Sequence, residues 1–227
     1  MQIFFVLLPI LVVILTFCPS ACSDIPNTMT KQNKYRGETV ILLHGMGRTK
    51  RSMRTMENSL KRRGFHVINV QYPSTRKSIE EISDQYLKNA VQKAQMRKGP
   101  IHFVTHSLGG IVVRHYLQNH TVSKLGKVVM LAPPNQGSEV ADFLKNNILF
   151  RWVTGPAGQD LGTDSRSMPK RLGRVDFPLG VIAGNTSFNP FFSYLLQGPD
   201  DGKVSVKRAK IKGMGDFLVV PYSHTFI

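Results

Sequence analysis

Cysteine is nearly absent from this chain of 227 residues, which contains only Cys18 and Cys22. Both lie within the first 23 residues, so the rest of the chain can form no disulfide and no cysteine-based metal site. Its stability must therefore come from an apolar core. The 41% content of hydrophobic residues is ample for one domain of this length, and no internal repeat divides the chain.

Acidic residues are also scarce, since 14 Asp and Glu face 30 Lys and Arg and the net charge is +16. Seven basic side chains crowd positions 48–63 around the single Glu57. No aromatic residues alternate with these charges, and the sequence contains no nucleic-acid motif. The charge therefore favours contact with an anionic membrane or envelope surface over contact with nucleic acid. A solvated helix face in a generally basic protein explains the cluster equally well.

The beginning of the chain has the pattern of an export signal. Residues 1–17 carry no charge and are almost wholly apolar, and small residues follow at 19–23. This pattern predicts a signal peptide at 1–23, although the usual Lys or Arg before the apolar run is missing. A membrane anchor is the alternative, and a lipid-modified cysteine is a third. In each case a polar linker at 24–37 leads to an exported domain, which would be periplasmic, secreted or membrane-anchored.

Strands and helices alternate over residues 38–227. Apolar strands are predicted at 39–43, 65–70, 101–104, 127–131, 177–183 and 216–220. Helices are predicted at 52–63, after the capping box of Ser78 and Glu81, and after residue 108. Because the strands are apolar on both faces, we expect a mostly parallel central sheet in an α/β fold, with helices on both faces. Active groups should gather at the carboxyl ends of the strands.

Residues 135–174 interrupt this alternation with a Gly-, Pro- and Arg-rich stretch. Such a long segment inside a compact domain is typical of a lid or a binding loop, here at about 138–174. A partly disordered insertion is the alternative. Four aromatic residues could belong either to a lid or to the core: Phe150, Trp152, Phe191 and Phe192.

The most informative stretch is the junction Thr105-His106-Ser107-Leu108-Gly109 between the strand at 101–104 and the following helix. A serine on such a strand-to-helix turn has an exposed hydroxyl, and the first N–H groups of the helix can face an oxyanion. The usual pattern is Gly-x-Ser-x-Gly, and threonine replaces its first glycine here. Taken alone, the junction would also fit a buried serine after a core strand.

A serine nucleophile needs a histidine base and a carboxylate that orients the base, in the chain order Ser, Asp, His. After Ser107, the histidines available are His115, His120 and His224, and we favour His224 because it follows the last strand in a loop. Asp201 is favoured over its neighbour Asp200, which would be a turn residue. Three other aspartates lie in the predicted lid and are poorer candidates: Asp142, Asp160 and Asp164.

Two backbone N–H groups are expected to bind the oxyanion. One belongs to Leu108, directly after the nucleophile, and the other to Met46 in the turn His44-Gly45-Met46-Gly47 that follows the first strand. A plain glycine turn is the alternative interpretation of that segment.

Five motifs in order resemble the α/β-hydrolase superfamily, in its branch of small bacterial lipases and esterases. They are Leu-Leu-His-Gly-Met-Gly, Val-Thr-His-Ser-Leu-Gly-Gly, Pro-Asn-Gln-Gly-Ser at 134–138, Asp-Asp-Gly-Lys-Val at 200–204 and the terminal Ser-His-Thr-Phe. The resemblance implies an α/β-hydrolase fold with Ser107 as nucleophile, His224 as base and Asp201 as acid, and with Met46 and Leu108 at the oxyanion hole. It implies no cofactor and no metal, and it gives His106 no role in proton transfer. Only three residues follow His224, so we expect the base to be held less rigidly than in such relatives.

These observations predict an exported serine hydrolase that cleaves carboxylic esters of acyl or lipid substrates through an acyl-enzyme. An acyltransferase, thioesterase or amidase using the same three side chains is the alternative. A non-catalytic protein of the same fold that binds envelope lipids is a third hypothesis.

Overall fold

The structure is a computed structural model that describes residues 37–227, and its centre is one six-stranded sheet. All strands are parallel, and their order is β2-β1-β3-β4-β5-β6. They are β1 (Thr39–Leu43), β2 (His66–Val70), β3 (Ile101–His106), β4 (Leu125–Leu131), β5 (Leu179–Gly184) and β6 (Asp216–Val220). The predicted α/β-hydrolase fold is thus confirmed, and the sheet is wholly parallel.

Helices connect the strands. They are α1 (Arg54–Arg62), α2 (Ile79–Glu81), α3 (Lys88–Gln95), α4 (Leu108–Asn119), α5 (Glu139–Leu144), α6 (Ile148–Gln159), α7 (Met168–Arg171), α8 (Pro190–Leu196) and α9 (Val206–Ala209). A π-helical section, Ile82–Leu87, joins α2 to α3, and the 3₁₀ turn Lys50–Met53 precedes α1. Over residues 37–227, no helix is long and apolar enough to cross a membrane.

Both faces of the sheet are covered, as the apolar strands require. All five residues of β1 and all six of β5 are buried. One face packs on α4 and the helix from α2 to α3, and the other packs on the 3₁₀ turn through Met53 and on α1 through Leu60. The predicted capping box is present, because Ser78 accepts from the N–H of Glu81 and Glu81 accepts from the N–H of Ser78. This cap fixes where the helix beneath the sheet begins.

Residues 138–174, the predicted lid-like insertion, contain the three helices α5, α6 and α7. Buried Arg114 on α4 ties the insertion to the domain by donating to the carbonyl oxygens of Pro169 and Gly173, and within the insertion Asp142 accepts from Thr163. The sequence carries no helix pattern that separates α5 from α6, and the kink at Gly155 further obscures the periodicity. The predicted leader and nearly all of the linker lie outside the described residues.

Candidate active site

Ser107 lies on a strained turn between β3 and α4. Its φ of 53° and ψ of −121° fall outside the regions that L residues prefer, at a cost of about 1–2 kcal/mol. The strain is held by the sheet, because the N–H of Ser107 donates to the carbonyl oxygen of Leu131 at 2.8 Å. The turn places the serine at the carboxyl edge of the sheet, between two parallel strands.

Glycines on α4 make this tight turn fit. A Cβ added at Gly109 would lie 2.9 Å from both the Cβ and the carbonyl oxygen of Leu43, so the helix could not approach β1 with any side chain there. A Cβ at Gly110 would lie 3.3 Å from Oγ1 of Thr105. It would also lie 3.1 Å from Sδ of Met130 and 3.2 Å from Cβ of Pro133, so Gly110 lets α4 pack closely on β3, β4 and the segment after β4.

Ser107, His224 and Asp201 form one hydrogen-bonded chain although they are far apart in the sequence. Nε2 of His224 lies 2.9 Å from Oγ of Ser107, and Nδ1 of His224 lies 2.8 Å from Oδ2 of Asp201. All three residues are buried to at least 91%. In this geometry the carboxylate accepts a hydrogen bond from the Nδ1–H of His224, which leaves Nε2 unprotonated and able to accept the proton of the serine hydroxyl.

The adjacent aspartates have different partners. Oδ1 of Asp201 accepts from the N–H groups of Lys203 and Val204, and this fixes the carboxylate toward His224. Oδ1 of Asp200 accepts from the N–H of Gly202 and the hydroxyl of Ser193, as a turn residue does. Of the two alternatives from the sequence, Asp201 is the one placed beside the imidazole.

A glycine at the end of β5 lets the acid and base loops meet. A Cβ at Gly184 would lie 2.2 Å from the carbonyl oxygen of Tyr222 and 3.0 Å from Cβ of Asp201. The N–H of His224 then donates to the carbonyl oxygen of Asp201 at 2.9 Å. The two loops are thus joined through both backbone and side chain.

His106 makes a contact that sequence reasoning missed. Its Nε2–H donates to the carbonyl oxygen of His224 at 2.8 Å, and the two rings lie 5.0 Å apart. Desolvation of the ring, helped by the neighbouring His224, lowers the pKa of His106 to about 3, so the ring is neutral near pH 7. His106 thus binds the backbone of His224, the predicted base, and no periodicity or motif signals this contact.

The turn after β1 lies against the serine. A Cβ at Gly45 would lie 3.2 Å from Cβ of Ser107 and 2.7 Å from Nδ1 of His106, so its backbone packs directly on the nucleophile. The N–H of Gly47 donates to Oγ of Ser74 at 3.0 Å. Tyr72 donates to the carbonyl oxygen of His44, and the two rings stack at 4.0 Å. Tyr72 and Ser74 follow β2, and nothing in the sequence marks them as supports of this turn.

The predicted oxyanion donors occupy the two elements that flank Ser107. Leu108 is the first residue of α4, so its N–H has no acceptor within the helix. Met46 lies in the turn closed by the bond from the N–H of Arg48 to the carbonyl oxygen of Gly45. Both residues belong to segments that the contacts above fix in place.

The other candidates from the sequence lie elsewhere. His120 contacts Asp84 at 3.1 Å, and His115 lies on α4 outside the cavity of Ser107. The three lid aspartates brace the insertion instead: Asp142 binds Thr163, Asp160 accepts from Met168 and Arg171, and Asp164 accepts from the N–H of Arg166. Within residues 37–227, no group of three or more His, Cys, Asp or Glu side chains could hold a metal ion.

A cavity of about 290 Å³ opens beside Ser107 and His224. Its apolar wall comes mainly from the insertion and includes Val140, Leu144, Phe150, Val153, Leu161 and Phe192. Of the four aromatic candidates, Phe150 and Phe192 line this cavity. Trp152 and Phe191 instead face outward, with 82% and 52% of their surfaces exposed.

Comparison with protein families finds a match to palmitoyl protein thioesterase over residues 39–166. The matched segment covers more than half of the chain and includes Ser107, whereas Asp201 and His224 lie beyond it. A comparison with curated protein sequences finds no match.

Several solved structures share the architecture. The mature lipase BlEst2 of Bacillus licheniformis superimposes with a TM-score of 0.63 at 19% identity, covering 89% of this chain and 90% of that one. A metagenomic carboxyl esterase gives a TM-score of 0.67 at 20% identity, covering 90% of this chain and 70% of that one. The phospholipase PlaB of Legionella pneumophila gives 0.61 at 21% identity, covering 76% of this chain and 45% of its own. At these identities the likeness establishes the fold alone.

Proposed function

Because the chain belongs to the palmitoyl protein thioesterase family, within the α/β-hydrolase superfamily, we propose that it is a serine hydrolase that cleaves acyl esters or thioesters. The observation that carries the proposal is the pair of hydrogen bonds made by His224, from Nε2 to Oγ of Ser107 at 2.9 Å and from Nδ1 to Oδ2 of Asp201 at 2.8 Å, beside an apolar cavity. The cavity is where an aliphatic acyl group would bind, since burial of each CH₂ contributes about 0.8 kcal/mol.

The residues divide the reaction as follows. Oγ of Ser107 attacks the acyl carbonyl carbon while Nε2 of His224 takes the hydroxyl proton, and Asp201 stabilises the imidazolium that forms. The N–H groups of Leu108 and Met46 bind the oxyanion. The tetrahedral intermediate collapses as His224 protonates the leaving oxygen or sulfur, and an acyl-enzyme remains. Water activated by His224 then releases the acid and restores Ser107.

Two reactions fit this site. The apolar cavity fits the acyl chain of an ester and of a thioester equally well. The lipase and esterase structures that share the fold support ester cleavage, and the family match supports thioester cleavage. Transfer of the acyl group to an alcohol would use the same acyl-enzyme and differ only in the acceptor.

The test uses the full-length protein in mild detergent with p-nitrophenyl and thiophenyl esters of the same acyl chains, from acetyl to palmitoyl. We expect hydrolysis that rises with chain length until the cavity is filled, and loss of all turnover and of fluorophosphonate labelling in Ser107→Ala. Products formed with and without an added alcohol separate a hydrolase from a transferase. A wild-type protein that neither turns over any ester nor labels would refute the proposal.

The proposed site of action is an anionic lipid surface, and the proposed lid carries the docking face. Exposed apolar side chains lie on α5, α6 and α8, the helices whose residues Leu144, Phe150 and Phe192 line the cavity. They are Phe143, Ile148, Leu149, Trp152, Val153, Phe191 and Tyr194. We call this set the apolar rim. Phe143 and Phe191 are in edge contact at 5.3 Å, which joins α5 to α8. Exposed apolar patches of this kind mark binding surfaces, and the net charge of +16 favours an anionic partner.

Trp152 is the single tryptophan of the chain, so its fluorescence reports this docking directly. We expect a blue shift of its emission with phosphatidylglycerol vesicles and a smaller one with phosphatidylcholine vesicles. Leu149→Asp should weaken the response, whereas Met96→Asp should not, because Met96 is an exposed apolar residue outside the rim. An unchanged spectrum at saturating vesicles would exclude the docking face. Export is tested separately, by cell fractionation and by sequencing the amino terminus of the mature protein.

A further inference from the structure

Two cationic side chains line the same cavity as Ser107 and His224. Arg48 follows the turn of Met46, and its guanidinium donates to Oγ1 of Thr225 at 3.3 Å. Lys203 lies two residues after Asp201 and is exposed. The apolar wall comes mainly from α5 and α6, whereas these cations come from the loops that carry the oxyanion position and the triad acid.

Within the described residues neither cation forms an ion pair at 4.0 Å or less, and the one carboxylate whose charge acts on Lys203 is Asp201, which is already bound to His224. Other cations of the domain do have such partners: Lys61 contacts Glu57 at 2.5 Å, and Arg208 contacts Glu139 at 2.6 Å. The pKa of Lys203 is lowered, first by partial desolvation and then by the charge of Arg48, and the charge of Asp201 offsets this only in part. Two like charges are therefore held near each other at the reaction centre.

This arrangement is unfavourable in the free protein and becomes favourable when an anion binds. Arg and Lys are the side chains that bind phosphate best, and hydrogen bonds to charged groups are stronger than neutral ones. The acyl chain occupies the apolar wall, so the group that meets the cations is the one attached to the scissile oxygen or sulfur.

We propose that Arg48 and Lys203 form a recognition site for a phosphate-bearing leaving group, so that the preferred substrate joins an apolar acyl chain to a phosphorylated alcohol or thiol. This inference rests on the proposed function, because it assigns the leaving group of that reaction. The phosphate could belong to a lipid headgroup or to a soluble carrier thiol such as coenzyme A.

The test measures kcat/KM for two matched substrate pairs with the same acyl chain. One pair is 1-acylglycerol-3-phosphate and 1-acylglycerol, and the other is acyl-coenzyme A and the neutral S-acyl-N-acetylcysteamine. We expect a preference of about tenfold or more for the phosphorylated member of at least one pair, and that pair identifies the source. Arg48→Gln and Lys203→Gln should each reduce this ratio about tenfold. Added salt should reduce it too, because it screens exposed charges.

Two control variants remove the same charge elsewhere. Arg54→Gln on α1 and Lys207→Gln on α9 alter exposed cations outside the cavity and should leave the ratio unchanged. A ratio that is equal in wild type, Arg48→Gln and Lys203→Gln for both pairs would overturn the inference. So would an equal loss in the control variants, because net charge alone would then explain the preference.

A binding measurement separates failure of this inference from failure of the proposed function. Calorimetric titration of the four substrates into Ser107→Ala, with and without Arg48→Gln, does not require turnover. Tighter binding of the phosphorylated members that is lost with Arg48→Gln supports the site even if no substrate is cleaved. Hydrolysis of both members of each pair without discrimination in either assay refutes the site and leaves the hydrolase assignment standing.

Discussion

Replacing Asp201 by Asn tests whether this carboxylate sets the tautomer of the base. Oδ1 of Asp201 accepts from two backbone N–H groups at 3.0 and 2.8 Å, so an asparagine must keep its oxygen there. Its NH₂ group then faces Nδ1 of His224, which must become the acceptor. The proton moves to Nε2, and Nε2 can no longer take the proton of Ser107. We expect kcat to fall about 10³- to 10⁴-fold, or about 4–5 kcal/mol in activation free energy.

The matched control is Asp200→Asn. An asparagine at this position would keep an oxygen for the N–H of Gly202 at 2.7 Å and has no imidazole beside it, so kcat should change by only a few-fold. Both variants are assayed with a p-nitrophenyl ester, and thermal melts verify that they are folded. Retention of a tenth or more of wild-type kcat in Asp201→Asn, or an equal loss in Asp200→Asn, would refute the reasoning.

Three further predictions concern the supports of the site. Gly109→Ala places a Cβ 2.9 Å from atoms of β1 and should lower the free energy of unfolding by about 1–3 kcal/mol in denaturant titrations, and an unchanged stability would contradict the close approach. Ser74→Ala removes the acceptor of the Gly47 N–H and should reduce kcat several-fold more than it raises KM, whereas a pure KM effect would argue against a role in holding the oxyanion turn. In the folded protein the pKa of His106 is about 3, whereas in the unfolded chain it is near 6.5. The contribution of His106 to stability is therefore fully present above pH 6.5 and is lost as the pH falls toward 3. In His106→Phe the free energy of unfolding should fall less steeply between pH 6.5 and about 3, by up to about 1.4 kcal/mol per pH unit. The variant should also have a lower kcat. An identical pH slope in the variant and the wild type would contradict the lowered pKa.

The sheet was predictable because strands that are buried on both faces appear in the sequence as continuous apolar runs. The strand at 216–220 has the predicted bounds, and the strand expected at 127–131 begins two residues earlier, at Leu125. Those first residues are only partly buried, so hydrophobicity does not reveal them. The helix expected at 52–63 begins instead as the 3₁₀ turn Lys50–Met53, because Thr49 caps it earlier.

The triad positions were predictable in a different way. Ser107 can be identified from its neighbouring sequence, since a serine between an apolar strand and a helix that begins with glycines is typical of a nucleophile turn. His224 was favoured because it follows the last strand in a loop, and Asp201 because of the chain order and the resemblance of the Asp-Asp-Gly-Lys-Val motif at 200–204. The choice between Asp200 and Asp201 depends on which carboxylate faces the imidazole, and the N–H groups of Lys203 and Val204 orient Asp201 there. Gly184 lets the two loops approach closely enough to touch. Contacts between loops that are far apart in the sequence produce no periodic pattern, so they cannot be predicted from it.

The hydrogen bonds that hold His224 could not be predicted from the sequence. The three residues after His224 suggested a loosely held imidazole, yet the hold comes from other segments. The N–H and the ring of His224 are both bound by Asp201, and its carbonyl oxygen is bound by His106. The carbonyl oxygen of Ser223 accepts from the N–H groups of Phe226 and Ile227, which closes the segment on itself. Because His106 adjoins Ser107 in the chain, its bond to the carbonyl oxygen of His224 connects the backbone of the proposed base directly to the turn that carries Ser107.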